Sequence, residues 1–430
     1  MTWTLEVEQS LIPGGPMIQR FRADNGLRLL LLRDASAPIA VYQTWFGVGS
    51  RHEHPGATGM AHLFEHLMFG RTRTLPPGEL DRLIERVGGE TNAATWLDWT
   101  YYTTSVPAAE LELVARIESD RMHQLVLDDD ALSSEREVVA AERMERVDDD
   151  VDGLLAEKLL ATAFEHHPYH WPTIGWMDDI RGAAKDEVER FYRTYYAPNN
   201  ATVVIVGDVD PDDTLAMLTR HYGQLPPSEL PPSELAPEPV QTGERRVEVQ
   251  RPVPADRALI GYKTPAQGHA DWAVLELVST LLNGGPSSRL YRQLVVDREL
   301  ASSIDGSVMP TAEPGLYELS LSMMRDVPAE EALAVIDREV ARLSAEPPPP
   351  AELAKAKSCV ETDFWSALVS LEGKAEALGH YQTALGDFRA LLATAERLES
   401  VTADDVTRAA ATYLSPERRT VAIARPREEA

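Results

Sequence analysis

The chain has 430 residues, 43% hydrophobic and 26% charged, the balance of a globular protein too long for one ordinary core. Its formal net charge of −28 excludes the basic surface that nucleic-acid binding needs. A single cysteine, Cys359, excludes a disulfide framework and any multi-cysteine metal site, and in its helical setting it reads as a small core residue.

In chain order, Leu27 to Leu32 and Ile39 to Val48 read as an early strand pair joined by the turn-like Asp34 to Pro38. Gly59 to Phe69 reads as a helix, and Pro76 to Val87 as a second one that stops at Gly88-Gly89. Thr91 to Val106, rich in Thr, Trp and Tyr, reads as paired strands, followed by helices over Ala108 to Leu125 and Asp128 to Val147. Apolar runs such as Leu29 to Leu32 and Val203 to Val206 are too short to cross a bilayer, and the first twenty residues carry no secretory pattern. A cytoplasmic protein with no membrane association is expected.

Leu225 to Gly243 contains PPSELPPSELAPEP, whose prolines suit neither a helix nor a central strand. This linker separates a first domain, residues 1–224, from a second, residues 244–430. The two end alike. Tyr195-x-x-Pro198-x-x-x-Thr202 enters the strand-like Thr202 to Val206, and Tyr413-x-x-Pro416-x-x-x-Thr420 enters Thr420 to Ala424 at the same spacing. The expected architecture is α+β: two homologous domains, each a mostly antiparallel sheet with helices packed on one face.

The chemistry concentrates in His62-Leu63-Phe64-Glu65-His66. Histidines four apart on a helix lie one turn apart on one face, where they can share a cation. Neutral imidazole suits Zn²⁺, and Glu65 can flank the metal and take a proton from an activated water. Apolar Leu63, Leu67 and Phe69 would bury this helix, and two histidines with a glutamate are costly there without a metal or full hydrogen bonding. A third protein ligand is needed, and the helix Ser134 to Arg143 offers Glu135 and Glu142, two turns apart on one face. Val138, Val139 and Ala141 would partly bury it. One glutamate could ligate while the other orients a histidine.

These residues resemble the M16 metallopeptidases, the inverted-zincin group that includes pitrilysin, insulin-degrading enzyme and mitochondrial processing peptidase. Glu142 stands 76 residues beyond His66, at the spacing of the family's ligand glutamate, and Glu135 to Glu142 matches its E-x(6)-E helix. The resemblance continues through Trp45 to Arg51, Thr91-Asn92-Ala93, His167-Pro168-Tyr169, Tyr196 to Asn200 and Asn283 to Tyr291. It implies one zinc per chain held by His62, His66 and Glu142, with Glu65 as general base and Glu135 in support. It also implies that Asn92 and Ala93 lie on an edge strand where an extended peptide substrate adds by backbone hydrogen bonds. The activity implied is that of a metalloendopeptidase for extended or unfolded peptides. The acidity reads mainly as a solubility feature, with basic peptides as the substrates it would favour.

One stretch departs from the family pattern. Where members carry an Arg and a Tyr seven residues apart, thought to hold the substrate carbonyl, this chain has Val295 and Ser302. Valine has no donor and serine is too short. The expectation is a catalytic subunit whose homologous M16 partner supplies the Arg and Tyr; a homodimer is the other arrangement. The competing reading is a non-catalytic scaffold like the core proteins of the respiratory bc1 complex, which share the fold but usually lose the zinc residues. His166, His167 and His170 read as loop structure, since Pro168 spoils ligand spacing. His52 and His54 likewise read as loop residues.

Overall fold

The computed structural model describes residues 1–12, 14–232, 235 and 237–427; Ser233, Glu234 and Ala236 of the expected linker lie outside the described residues. The remaining residues of that segment form neither helix nor strand, as its prolines require.

Two compact units are present. The first comprises Met1–Ala141, Thr173–Glu234 and Ser366–Leu392. Its sheet contains β1 (Trp3–Ser10), β2 (Met17–Ala23), β3 (Arg28–Arg33), β4 (Ile39–Phe46), β5 (Glu90–Thr95), β6 (Thr100–Pro107) and β7 (Ala201–Gly207), in the order β1-β2-β3-β7-β4-β6-β5. Only β3 and β7 run parallel. The expected pairing of the two early strands therefore does not occur, because β7 lies between them. All seven residues of β7 are buried, so it needs a partner on both edges and cover on both faces. The five residues Asp34 to Pro38 can step over one intervening strand, about 10 Å.

The second unit comprises Glu142–Pro172, Leu235–Trp365 and Ala393–Ala430. Its sheet contains β8 (Arg245–Arg251), β9 (Arg257–Lys263), β10 (Ala301–Val308), β11 (Leu316–Met323) and β12 (Arg419–Pro426), in the order β10-β11-β9-β12-β8. Here only β12 and β8 run parallel. The order repeats that of β5-β6-β4-β7-β3, with β12 in the place of β7. The matched Tyr-x-x-Pro endings each make a single 3-10 turn, Pro198–Asn200 and Pro416–Arg418, before that central strand. The α+β duplication is thus a repeated topology as well as a repeated motif.

The first unit's helices include α1 (Met60–Leu67), α2 (Glu79–Arg86), α3 (Leu111–Gln124) and α4 (Asp129–Arg143). They bury one sheet face through Leu63, Phe64, Leu80, Val114, Ile117 and Val139 against Tyr42, Phe46, Tyr102 and Val203. The other face carries one helix from late in the chain, Leu371–Leu385, where Gly379 packs so close that a Cβ would fall 2.1 Å from the Trp45 indole nitrogen. In the second unit the corresponding cover comes from early in the chain, α5 (Val151–Ala163), which lies against β9 and β12 with Leu154, Leu155 and Leu159 buried. The compact units consequently cut across a contiguous division at 1–224, 225–243 and 244–430. Each sheet is apolar on both faces, so each must be covered twice.

Candidate metal centre

Helix α1 is fixed at its start by backbone and carboxylate contacts. Gly59 precedes it at φ 84, and a Cβ there would lie 2.5 Å from the Ile174 carbonyl oxygen, so only glycine fits. The buried Glu53 carboxylate accepts from Gly59 N at 2.7 Å and from Ala61 N at 2.8 Å, satisfying two helix N-terminal donors. Burial pushes the Glu53 carboxyl up, against the pull of these N–H groups. Along the helix, Phe64 stacks on Phe191 and Tyr192, and its carbonyl accepts from the Tyr102 hydroxyl at 3.0 Å. These contacts fix the side of the helix opposite the one that carries the buried His62 and the half-buried His66, whose ring centroids lie 5.0 Å apart.

Helix α4 brings up the third donor. It is partly buried as expected, but through Leu132, Val139, Ala140 and Arg143, whereas Val138 and Ala141 are exposed. That rotation leaves Glu135 and Glu142 on the flank. His62, His66 and Glu142 each offer one ligand atom, and the three atoms lie within 4.8 Å of one another. Among the described residues this is the one grouping of histidine, cysteine and carboxylate side chains that could hold a metal. Two imidazole nitrogens and one carboxylate oxygen are the donor set of a catalytic zinc site with its fourth position open, so the residues fit that metal.

Around the donors, Glu135 Oε2 stands 3.7 Å from His66 Nδ1, close enough to interact electrostatically but too far for a hydrogen bond. Arg146 Nε lies 3.1 Å from Glu142 Oε1. Glu65 is half-buried between the two histidines in sequence. Burial first, then the charges of Glu376, Glu372 and Glu65, push the Tyr101 hydroxyl up to about 12. Asn92 and Ala93 lie on β5, the edge strand, in register with Thr103 and Tyr102 of β6. Val295 lies half-buried in the wide turn Arg292–Asp297, and Ser302 is the exposed extra residue of a β-bulge at the start of β10.

His167 Nδ1 accepts from Tyr169 N at 3.2 Å, and His170 Nδ1 approaches the Phe164 carbonyl at 2.7 Å. This is loop structure, as read from Pro168. Sequence reasoning missed Glu53 and Tyr102, which secure α1. Glu53 follows the turn-like Ser50 to His52 without a recognisable capping pattern, and Tyr102 is one of several aromatic residues in a strand.

Residues 28–175 match the family model "Insulinase (Peptidase family M16)", and residues 183–359 match "Peptidase M16 inactive domain". A Helicobacter pylori protein named "Zinc protease PqqE" is 32% identical over 407 residues, covering 94% of this chain and 91% of that protein.

The chain belongs to the M16 peptidase family.

Among solved structures, a protease from Helicobacter pylori superposes with a TM-score of 0.91 at 31% identity, over 96% of this chain and 100% of that one. A chain of complex III from Candida albicans shares the M16 fold at a TM-score of 0.79 and 15% identity, over 94% of this chain and 95% of that one. No helix among the described residues is long and apolar enough to cross a membrane.

Proposed function

We propose that this M16 chain is a zinc-dependent endopeptidase acting on extended or unfolded peptides in the cytoplasm. The convergence of His62, His66 and Glu142 within 4.8 Å, from two separate helices, carries this reading. Bound zinc would supply Lewis-acid activation of the attacking water and of the scissile carbonyl. Glu65, on the same helix as both histidines, takes the proton from that water and passes it to the departing amine as the C–N bond breaks. Glu135 steadies His66 electrostatically. Asn92 and Ala93 offer the open edge of β5 to the substrate backbone, which favours peptides able to add as a strand over folded proteins.

Val295 and Ser302 cannot replace the Arg and Tyr that other family members use at those positions. The active enzyme is therefore a heterodimer in this reading, with a homologous subunit supplying that pair. The alternative, a non-catalytic scaffold, draws on the inactive-domain match over residues 183–359 and on the fold shared with the complex III chain. The intact donor set and Glu65 favour the peptidase.

Two assays separate these readings. Glu65→Gln retains zinc and loses peptide hydrolysis if Glu65 is the general base. The purified chain gains hydrolysis when mixed with a homologous subunit that carries the Arg and Tyr; full activity of the chain alone contradicts the heterodimer.

A further inference from the structure

Glu142 occupies the penultimate position of α4, where the helix changes from α to π hydrogen bonding without a break and the direction of its side chains is reset. The chain then enters a π-turn, Met144–Asp148, of the kind that recurs at functional sites. A ligand held there needs an anchor. Its direct neighbour Arg146 is 73% exposed, and an exposed pair of this kind contributes little rigidity.

The next residue is different. Arg143 is 6% exposed and donates through Nη2 to Glu157 Oε2 at 2.6 Å, with Glu157 itself 4% exposed. Glu157 stands on α5, whose Leu154, Leu155 and Leu159 are buried against the second sheet. The turn between the helices is tight. Asp150 caps α5 by accepting from Gly153 N at 2.7 Å, and a Cβ on Gly153 would fall 1.9 Å from the Arg146 carbonyl oxygen.

We propose that Arg143 and Glu157 are positioning residues for Glu142, their buried ion pair fixing the end of α4 so that the ligand carboxylate is presented to His62 and His66. This rests on the zinc reading above. Buried ion pairs can often be replaced by apolar side chains without loss of stability, so geometry rather than stability is the property this pair provides.

The test measures zinc dissociation constants by chelator competition on the full chain, beside thermal melting. Glu157→Gln is expected to weaken zinc binding roughly tenfold or more, the usual effect of losing a residue that orients a ligand. The double variant Arg143→Met with Glu157→Leu is expected to melt no lower than the parent, yet to show the same weakened binding. Wild-type affinity in a folded double variant overturns the proposal, since it would make the pair structural only. If the double variant does not fold, Arg143→Lys decides in the same way, because it keeps the charge and loses the planar fork. A parent chain that binds no zinc overturns the metal reading itself, a result distinct from equal binding by parent and variants.

Discussion

The Tyr102 hydroxyl donates to the Phe64 main-chain carbonyl at 3.0 Å, so strand β6 holds helix α1 between His62 and His66. The Tyr102 ring is fully buried, with the Arg121 guanidinium 4.2 Å over its face. Tyr102→Phe keeps the ring and loses one buried hydrogen bond, and is expected to cost about 1 kcal/mol in urea unfolding. Tyr102→Ala also opens a cavity and is expected to cost roughly 3–5 kcal/mol. Equal stability of the two variants would contradict this account of the anchor.

Glu53 makes a second anchor, at the start of α1. Glu53→Ala leaves the buried N–H groups of Gly59 and Ala61 without their carboxylate, an expected loss of roughly 2–4 kcal/mol. Glu53→Gln keeps one acceptor and should fall between the parent and the alanine variant. Denaturant midpoints of the three proteins test the order.

Much of this site was legible in the sequence, for a physical reason. The spacing of His62, Glu65 and His66 sets a local helical geometry, and helical geometry depends on near neighbours. Glu142 required the family resemblance, because nothing in α4 alone distinguishes it from Glu135. The expected pairing of β3 with β4 does not form because β7, more than 150 residues later in the chain, separates them. The helices Val151–Ala163 and Leu371–Leu385 carry ordinary helical patterns that do not say which sheet they cover. Glu53, Tyr102 and the Arg143–Glu157 pair act through contacts that no spacing rule encodes.

In the proposed zinc site, Glu135 supports His66 from 3.7 Å away. Glu135→Ala is expected to weaken zinc binding about tenfold while leaving unfolding nearly unchanged, because the side chain is 30% exposed and its interaction at 3.7 Å is electrostatic. Chelator competition and thermal melting, run together, check both halves of the prediction.

Stability should also fall as the solution passes from mildly acidic to mildly alkaline. Burial raises the carboxyls of Glu276 and Glu318 from 4.5 to about 7. Between those values the folded chain binds more protons than the unfolded one, so the stabilising contribution is fully present below the unfolded pKa and is lost as pH rises through 7. A shift of that size corresponds to about 3 kcal/mol for a fully buried group, and the partial exposure of Glu276 and Glu318 makes the contribution of each smaller. Glu318→Gln should flatten the dependence between pH 5 and 8 in denaturant titrations, and an unchanged slope would contradict the assignment.

The central claim is that zinc at His62, His66 and Glu142 makes this chain a peptidase, and zinc titration tests it most directly. The chain is stripped with a chelator and mixed with a homologous subunit that carries the Arg and Tyr, the partner proposed above. Zinc is then added back while cleavage of an unstructured fluorogenic peptide is followed. The account predicts that cleavage returns with one zinc per chain, and that Glu65→Gln takes up the same zinc but cleaves at least about a hundredfold more slowly. Cleavage that survives stripping, or that persists undiminished in the zinc-loaded Glu65→Gln protein, would contradict it.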